Sequence, residues 1–222
     1  MKAIDVYQIA RATVRVLRDS SRTLEIFRVA ELTGGPRYRR QLRALGEDPS
    51  MRRLLRERPE IGPEQVDFDA LRLLSADTLG GAYVRHLDNH GLSISPELTA
   101  TRFTDDVDVA YLIRRWRQTH DIVHTLLGVG TSGHEEVLVH AFSWGQLKLP
   151  VSAMIMFFGS IKHMLLERRW NALRRGLYQA YRSGRRAAPL LPVVWEDLWT
   201  EPIDAVRERF FIVPCNPANV HS

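Results

Sequence analysis

His120-Asp121-Ile122-Val123-His124, followed twelve residues after His124 by Glu136, gathers two imidazoles and two carboxylates within seventeen residues. On an α-helix, residues at i and i+4 lie one above the other, so His120 and His124 can address one metal ion. Asp121 is close enough in the chain to join or orient them. Nitrogen and oxygen donors of this kind suit zinc or another first-row divalent cation. A lone helical histidine is usually structural or solvated. Two at this spacing, with one acid adjacent and another beyond a turn, point to a metal.

The elements that must position these residues read as helices. Apolar residues recur at three and four positions over 4–17 and 23–32, where Gly34-Gly35-Pro36 ends the second segment. Shorter helical pieces follow at 38–45, 51–57, 67–74 and 78–89, the last stopping at Gly91. Thr104-Asp105-Asp106 supplies an N-terminal cap for the motif helix, which runs to Leu127 and ends in the glycine-rich turn 128–133. Ser132 with Glu135 three residues later is a capping box. That box commits Glu135 to the backbone and leaves Glu136 free. So short a turn makes the two helices antiparallel neighbours and brings Glu136 toward His120 and His124. Pro150 opens a long helix to about Tyr181, and a short one covers 203–210. No strand-like alternation and no internal repeat stands out. The expected fold is all-α: a single helical domain over 1–222, with a long apolar helix and a metal site on a helical hairpin.

At 222 residues the chain can bury a core of its own, and 45% hydrophobic with 26% charged residues argues against wholesale disorder. The net charge of +5 is mild, and Lys2, Lys148 and Lys162 are the only lysines among the basic residues. Such an excess suits an anionic membrane surface or an acidic ligand as well as nucleic acid, and no nucleic-acid-binding signature is present. No nucleic-acid partner is expected. Cys215 is the only cysteine, which excludes an internal disulfide. Met1–Asp19 carries scattered charges and no apolar core, so it is no secretory signal. A bacterial or already processed protein in a reducing cytoplasm is the expectation, peripheral to the inner face of the plasma membrane if it meets lipid.

Two familiar metal motifs fit poorly. The zinc-protease motif needs Glu after the first His as general base, and Asp121 is one methylene too short for that task. HD-type phosphohydrolases use a His-Asp pair with another His upstream, which His86 or His90 could supply, but no downstream Asp is well placed. A third pattern matches more closely. His120-Asp121-x-x-His124 with eleven residues before Glu136 resembles the signature of the COQ-four family of ubiquinone (coenzyme Q) biosynthesis proteins. Thr78-Leu79-Gly80-Gly81-Ala82-Tyr83 is similar to that family's leucine-glycine-tyrosine segment. Arg115-Trp116-Arg117, Leu147-Lys148-Leu149-Pro150 (with Lys148 where the family has glycine), Trp195-Glu196-Asp197 and Arg207 resemble further blocks.

The resemblance implies an all-α fold and a divalent metal, zinc foremost, held by His120, Asp121, His124 and Glu136, which would also be the catalytic residues. It implies work on a polyprenylated quinone precursor, with other ubiquinone-biosynthesis enzymes as partners and a homodimer as an open expectation. The activity implied is an oxidative decarboxylation in which a carboxyl group on a polyprenylated hydroxybenzoate is replaced by hydroxyl. The alternative is a non-catalytic scaffold that presents isoprenoid lipids to partner enzymes.

Other residues carry weaker signals. Arg115 or Arg117 could pair with the departing carboxylate, against a structural or solvated role. The uncharged run 149–161 holds Met154, Phe157 and Phe158, and it is too short to span a bilayer. It reads either as a buried core helix or as one wall of an isoprenoid groove. Arg11, Arg15, Arg18 and Arg22 form a stripe that is either a solvated face or an interfacial one. Asp105, Asp106 and Asp108 do not match a prenyl-diphosphate spacing and are read as helix-capping residues.

Overall fold

The computed structural model describes residues 23–94, 101, 104–166 and 170–215, all helix and connecting loop with no β-strand among them. Its elements are α1 (Thr23–Leu45), α2 (Pro49–Glu57), α3 (Phe68–Arg72), α4 (Leu79–His90), α5 (Val107–Gln118), α6 (His120–Leu127), α7 (Gly133–Leu147), α8 (Pro150–Leu166), α9 (Trp170–Arg186), a 3₁₀ turn at Trp195–Leu198 and α10 (Ile203–Arg209). The Arg11–Arg22 stripe and the 4–17 segment lie outside the described residues. The all-α expectation holds.

The cap read from the sequence at Asp106 is in place, accepting from Val109 N at 3.1 Å at the start of α5. Thr78, read only as a helix start, also caps: it accepts from Gly81 N at 3.2 Å at the start of α4. Gly91 and Gly128 end α4 and α6 at φ 60 and 67, in the left-handed region that closes helices.

Three helix boundaries differ from expectation. Gly34-Gly35-Pro36 does not end a helix; α1 continues through it. Pro36 lacks the N–H of one helical bond but is itself exposed, while Gly34, Gly35 and Tyr38 are buried and α1 packs on α5 and α8. Tertiary contact outweighs the local break. The motif helix is in fact two helices, divided at Thr119, whose hydroxyl bonds back to Trp116 O at 3.2 Å, a local bond that competes with the helical ladder. The supposed long helix from Pro150 is also two. Gly159 of α8 approaches Val137 and Gly176 of α9 approaches Leu138, so α8 runs one way along α7 and α9 runs back.

α7 is thus the central rod, flanked by α8 and α9. One apolar cluster joins Leu79, Tyr83, Ile122, Leu126, Leu138 and Phe142, and a second joins Tyr38, Leu54, Val109, Leu112 and Leu147. α7 and α9 meet most closely at two glycines. A Cβ on Gly145 would lie 2.7 Å from the carbonyl carbon of Gly184, and one on Gly184 would lie 2.2 Å from Phe142 O. Backbone cannot yield there as a flexible side chain could, so Gly184→Ala is expected to cost about 3 kcal/mol or more. Gly35 is also helical, but its added Cβ would meet only Arg39 Nη1 at 3.6 Å. Gly35→Ala should therefore stabilise by about 0.5–1 kcal/mol. Urea unfolding of the two variants checks the opposite signs; equal effects would contradict the packing described.

Candidate metal centre

His120 opens α6 and His124 sits one turn later, so their rings share a face. Glu136 projects from the first turn of α7, across the turn 128–132. His120 Nε2 and His124 Nε2 lie 3.1 Å apart, and each is 3.3 Å from a different oxygen of Glu136. One ligand atom from each of the three falls within 4.8 Å of the others. His124 is fully buried, while the His120 and Glu136 side chains are 31% and 34% exposed. The centre is therefore anchored inside and reachable from one side.

A chain of hydrogen bonds orients it. His124 Nδ1 lies 2.8 Å from Gly130 O and serves as its donor, which leaves Nε2 with its lone pair toward Glu136. Gly130 N and Ser132 N donate to Glu135 at 2.8 and 3.1 Å. The capping-box glutamate thus also fixes the carbonyl that orients His124. From the other end, Arg207 of α10 donates to Leu126 O at 2.8 Å and to Thr125 O at 3.1 Å, closing the carboxy-terminal end of α6.

The electrostatics are those of a carboxylate clamped by imidazoles. Burial raises the Glu136 pKa, but the contacts with His120 and His124 overcome it and hold the group far below the usual carboxylate range. Burial lowers the His120 pKa, and Glu136, helped by Asp121, more than reverses it, leaving it raised.

Asp121 is not among the three converging residues. It is one residue beyond His120, about 100° around the helix, and its charge acts on Tyr83 and His86 of α4. The expected four-residue set is, in this geometry, three converging residues with Asp121 alongside.

More imidazoles surround the centre than the motif names. The His86 ring stacks on His124 at 5.4 Å and His140 lies 5.8 Å from His120, centroid to centroid. Burial pushes His86 down to about 4 and His140 down to about 3. His86 Nε2 and the Tyr83 hydroxyl are buried without a hydrogen-bond partner among the described residues. His140 went unread in the sequence, although Glu136-x-x-x-His140 repeats the i,i+4 spacing that exposed His120 and His124.

The arginines expected to meet substrate are engaged elsewhere. Arg115 is buried in a bidentate pair with Glu196 at 2.7 and 2.6 Å, tying α5 to the 3₁₀ turn. Arg117 pairs with buried Glu31 at 3.6 Å beneath α1. Arg115, five residues before His120, would lie about 140° around even a continuous helix, and α5 and α6 are in addition separate helices divided at Thr119. Of the proposed groove residues, Phe157 lines an apolar cavity of about 470 Å³ with Trp144, Ala153, Met156, Ile161 and Met164. Phe158 packs edge-on to Phe157 at 5.2 Å, and Met154 turns instead into the second core cluster.

Fold and site together define an all-α protein with a two-histidine, one-glutamate centre beside an apolar cavity. Residues 5–216 match the family model described as Coenzyme Q (ubiquinone) biosynthesis protein Coq4, and the chain belongs to that family. It is 38% identical over 170 residues to the mitochondrial ubiquinone biosynthesis protein COQ4 homolog of Mus musculus, spanning 76% of this chain and 62% of the mouse protein. It is 30% identical over 203 residues to the Aedes aegypti homolog, covering 91% of this chain and 73% of the relative. A crystal structure from Nostoc punctiforme, assigned to ubiquinone biosynthesis, superposes with a TM-score of 0.71 at 26% identity, covering 91% of this chain and 96% of that one.

The two depressed histidines carry a pH dependence. Their folded pKa values lie below the unfolded 6.5, so the folded state binds fewer protons and stability is lost as pH falls from about 6.5 toward 4. Thermal melts of the metal-free protein across that window should show a falling Tm. Replacing His86 and His140 together by Phe should flatten the fall; an unchanged slope would contradict the burial described.

Proposed function

We propose that this chain acts in ubiquinone (coenzyme Q) biosynthesis as a zinc-type metalloprotein that replaces the carboxyl group of a polyprenylated aromatic acid by hydroxyl. The observation that carries the reading is one stripe of α7. Glu136, His140 and Trp144 recur every four residues, so the converging centre and the wall of the apolar cavity share one helix face. From Glu136 to Trp144 is about 12 Å along the helix, room for a polar ring at one end and isoprenoid carbon at the other. Each methylene buried in the cavity would contribute about 0.8 kcal/mol, so the tail would supply most of the affinity.

The residues fit a divalent cation. Two imidazole nitrogens and a carboxylate are the donor set of open zinc sites, and the His124 tautomer already directs its lone pair to the shared point. His120, His124 and Glu136 would hold the ion, with the Asp121 charge nearby. When bound, the metal would supply Lewis-acid stabilisation of negative charge developing on the substrate's oxygens and ring. The chain's own part is to orient and exclude. The Gly130 carbonyl keeps the proton on His124 Nδ1, and His86 and His140, neutral near pH 7, present N–H groups without adding positive charge. The exchange releases the carboxyl as CO2 and removes two electrons; zinc has no redox chemistry, so the reading takes molecular oxygen as the two-electron acceptor, reduced to hydrogen peroxide, with water supplying the hydroxyl oxygen.

The second reading is a scaffold that loads and presents the lipid; the apolar cavity serves it equally well. Purified zinc-loaded protein would be incubated with the carboxylated polyprenyl substrate and oxygen, and the hydroxylated product sought by mass spectrometry. His120→Ala and Glu136→Gln should each reduce bound zinc to traces and abolish conversion while the fold survives. Tight lipid binding with no product from the unaltered protein would favour the scaffold.

A further inference from the structure

Between the converging centre and the apolar cavity stands His140. It follows Glu136 by one turn of α7 and precedes Trp144 by another, and its ring lies 5.8 Å from that of His120, centroid to centroid. Its Nδ1 lies 3.3 Å from Ser152 Oγ of α8. Ser152 is 1% exposed and begins a stripe at four-residue spacing, Ser152, Met156, Ser160 and Met164, of which the last three line the cavity. The pair of His140 and Ser152 therefore joins the two helix faces that lead from the centre to the cavity.

The pair also fixes where the imidazole carries its proton. A buried hydroxyl must donate its hydrogen or forfeit the hydration it had in water. Among the described residues the hydrogen-bond partner of Ser152 Oγ is His140 Nδ1, so the hydroxyl donates and Nδ1 accepts. The neutral ring then holds its proton on Nε2. That N–H meets no acceptor among the described residues. A nitrogen that carries a proton does not ligate a cation, and His140 is not one of the three converging residues. It is a donor waiting for an oxygen.

We propose, resting on the reading of this chain as acting on a polyprenylated aromatic acid, that His140 is a substrate-binding residue whose Nε2–H donates to an oxygen on the ring opposite the carboxyl group, and that Ser152 positions it. Spacing selects the oxygen. Glu136 and His140 are four residues apart, about 6 Å along α7, close to the reach of a benzene ring from a carboxyl at one end to an oxygen at the other. With the carboxyl at the centre, an oxygen across the ring falls beside His140. A tail on the neighbouring ring carbon then continues toward Trp144 and the cavity, one turn further along. A buried donor of this kind discriminates by its loss, since a substrate without the oxygen leaves the N–H unpaired.

Isothermal titration calorimetry of the zinc-loaded full chain with 3-geranyl-4-hydroxybenzoate, and with 3-geranylbenzoate, which lacks the ring oxygen, tests this. The unaltered protein should bind the hydroxylated acid about 10-fold more tightly, the worth of one hydrogen bond in a buried site. His140→Phe should erase that preference and leave the affinity for 3-geranylbenzoate as it was. His140→Gln keeps an N–H near the Nε2 position and should restore part of the preference, while Ser152→Ala should reduce it about 3-fold by freeing the ring. Bound zinc and circular dichroism should be unchanged in every variant. Three results would each overturn the proposal: no preference in the unaltered protein, equal weakening of both acids by His140→Phe, as a merely structural residue would give, or loss of zinc from that variant, which would make His140 a ligand. A preference that depends on His140 in a protein that converts neither acid would uphold the proposal and count against the catalytic reading alone.

Discussion

Three lone-pair-bearing atoms, His120 Nε2, His124 Nε2 and a Glu136 oxygen, are held within 4.8 Å of one another. Such atoms repel unless something positive lies among them, a proton or a cation. The depressed carboxylate of Glu136 and the raised imidazole of His120 are the protonic answer to that demand, and a divalent ion would answer it more fully. Much of the surrounding structure resists the separation of these groups.

That resistance comes from far along the chain. Arg207 closes the end of α6 with two carbonyl bonds, and Cys215 N adds a third to Leu127 O at 2.9 Å. Leu79 N and Gly80 N, opening α4, bond to Glu201 O and Trp199 O at 2.8 Å. Arg115 and Glu196 join α5 to the same carboxy-terminal segment. The blocks of sequence that resemble the family away from the motif are therefore mostly struts. A buried bidentate pair contributes less to stability than its Coulomb energy suggests, because both charges were desolvated. What it supplies is a fixed register between α5 and the 3₁₀ turn.

α7 carries the other burden. One of its faces presents Glu136, His140 and Trp144, and another meets α9 closely enough at Gly145 and Gly184 that a methyl group would strike backbone. Packing that tight on one side keeps the opposite stripe at constant height. A carboxylate shifted by an ångström would no longer reach both imidazoles.

Much of this was legible in the sequence. Helix caps at Asp106 and Ser132 were readable because capping is local chemistry, and His120, His124 and Glu136 were readable because helical spacing and a short turn dictate proximity. The break at Thr119 was not, since a single back-bonded hydroxyl decides it, nor was the helix through Pro36, which only packing against α5 and α8 sustains. His140 escaped notice although it follows Glu136 by four residues, and His86 was weighed only as the upstream histidine of an HD motif; both join the centre only when α4 and α7 close around α6. Arg115 and Arg117 looked available to substrate because charge is visible in sequence while burial is not. What the chain alone determined was which donors exist and which pairs share a helix face, a matter of residue type and the 3.6-residue turn. Which of them converge, which arginines become struts and where the apolar cavity opens were decided by tertiary structure, since those outcomes depend on how separate helices pack.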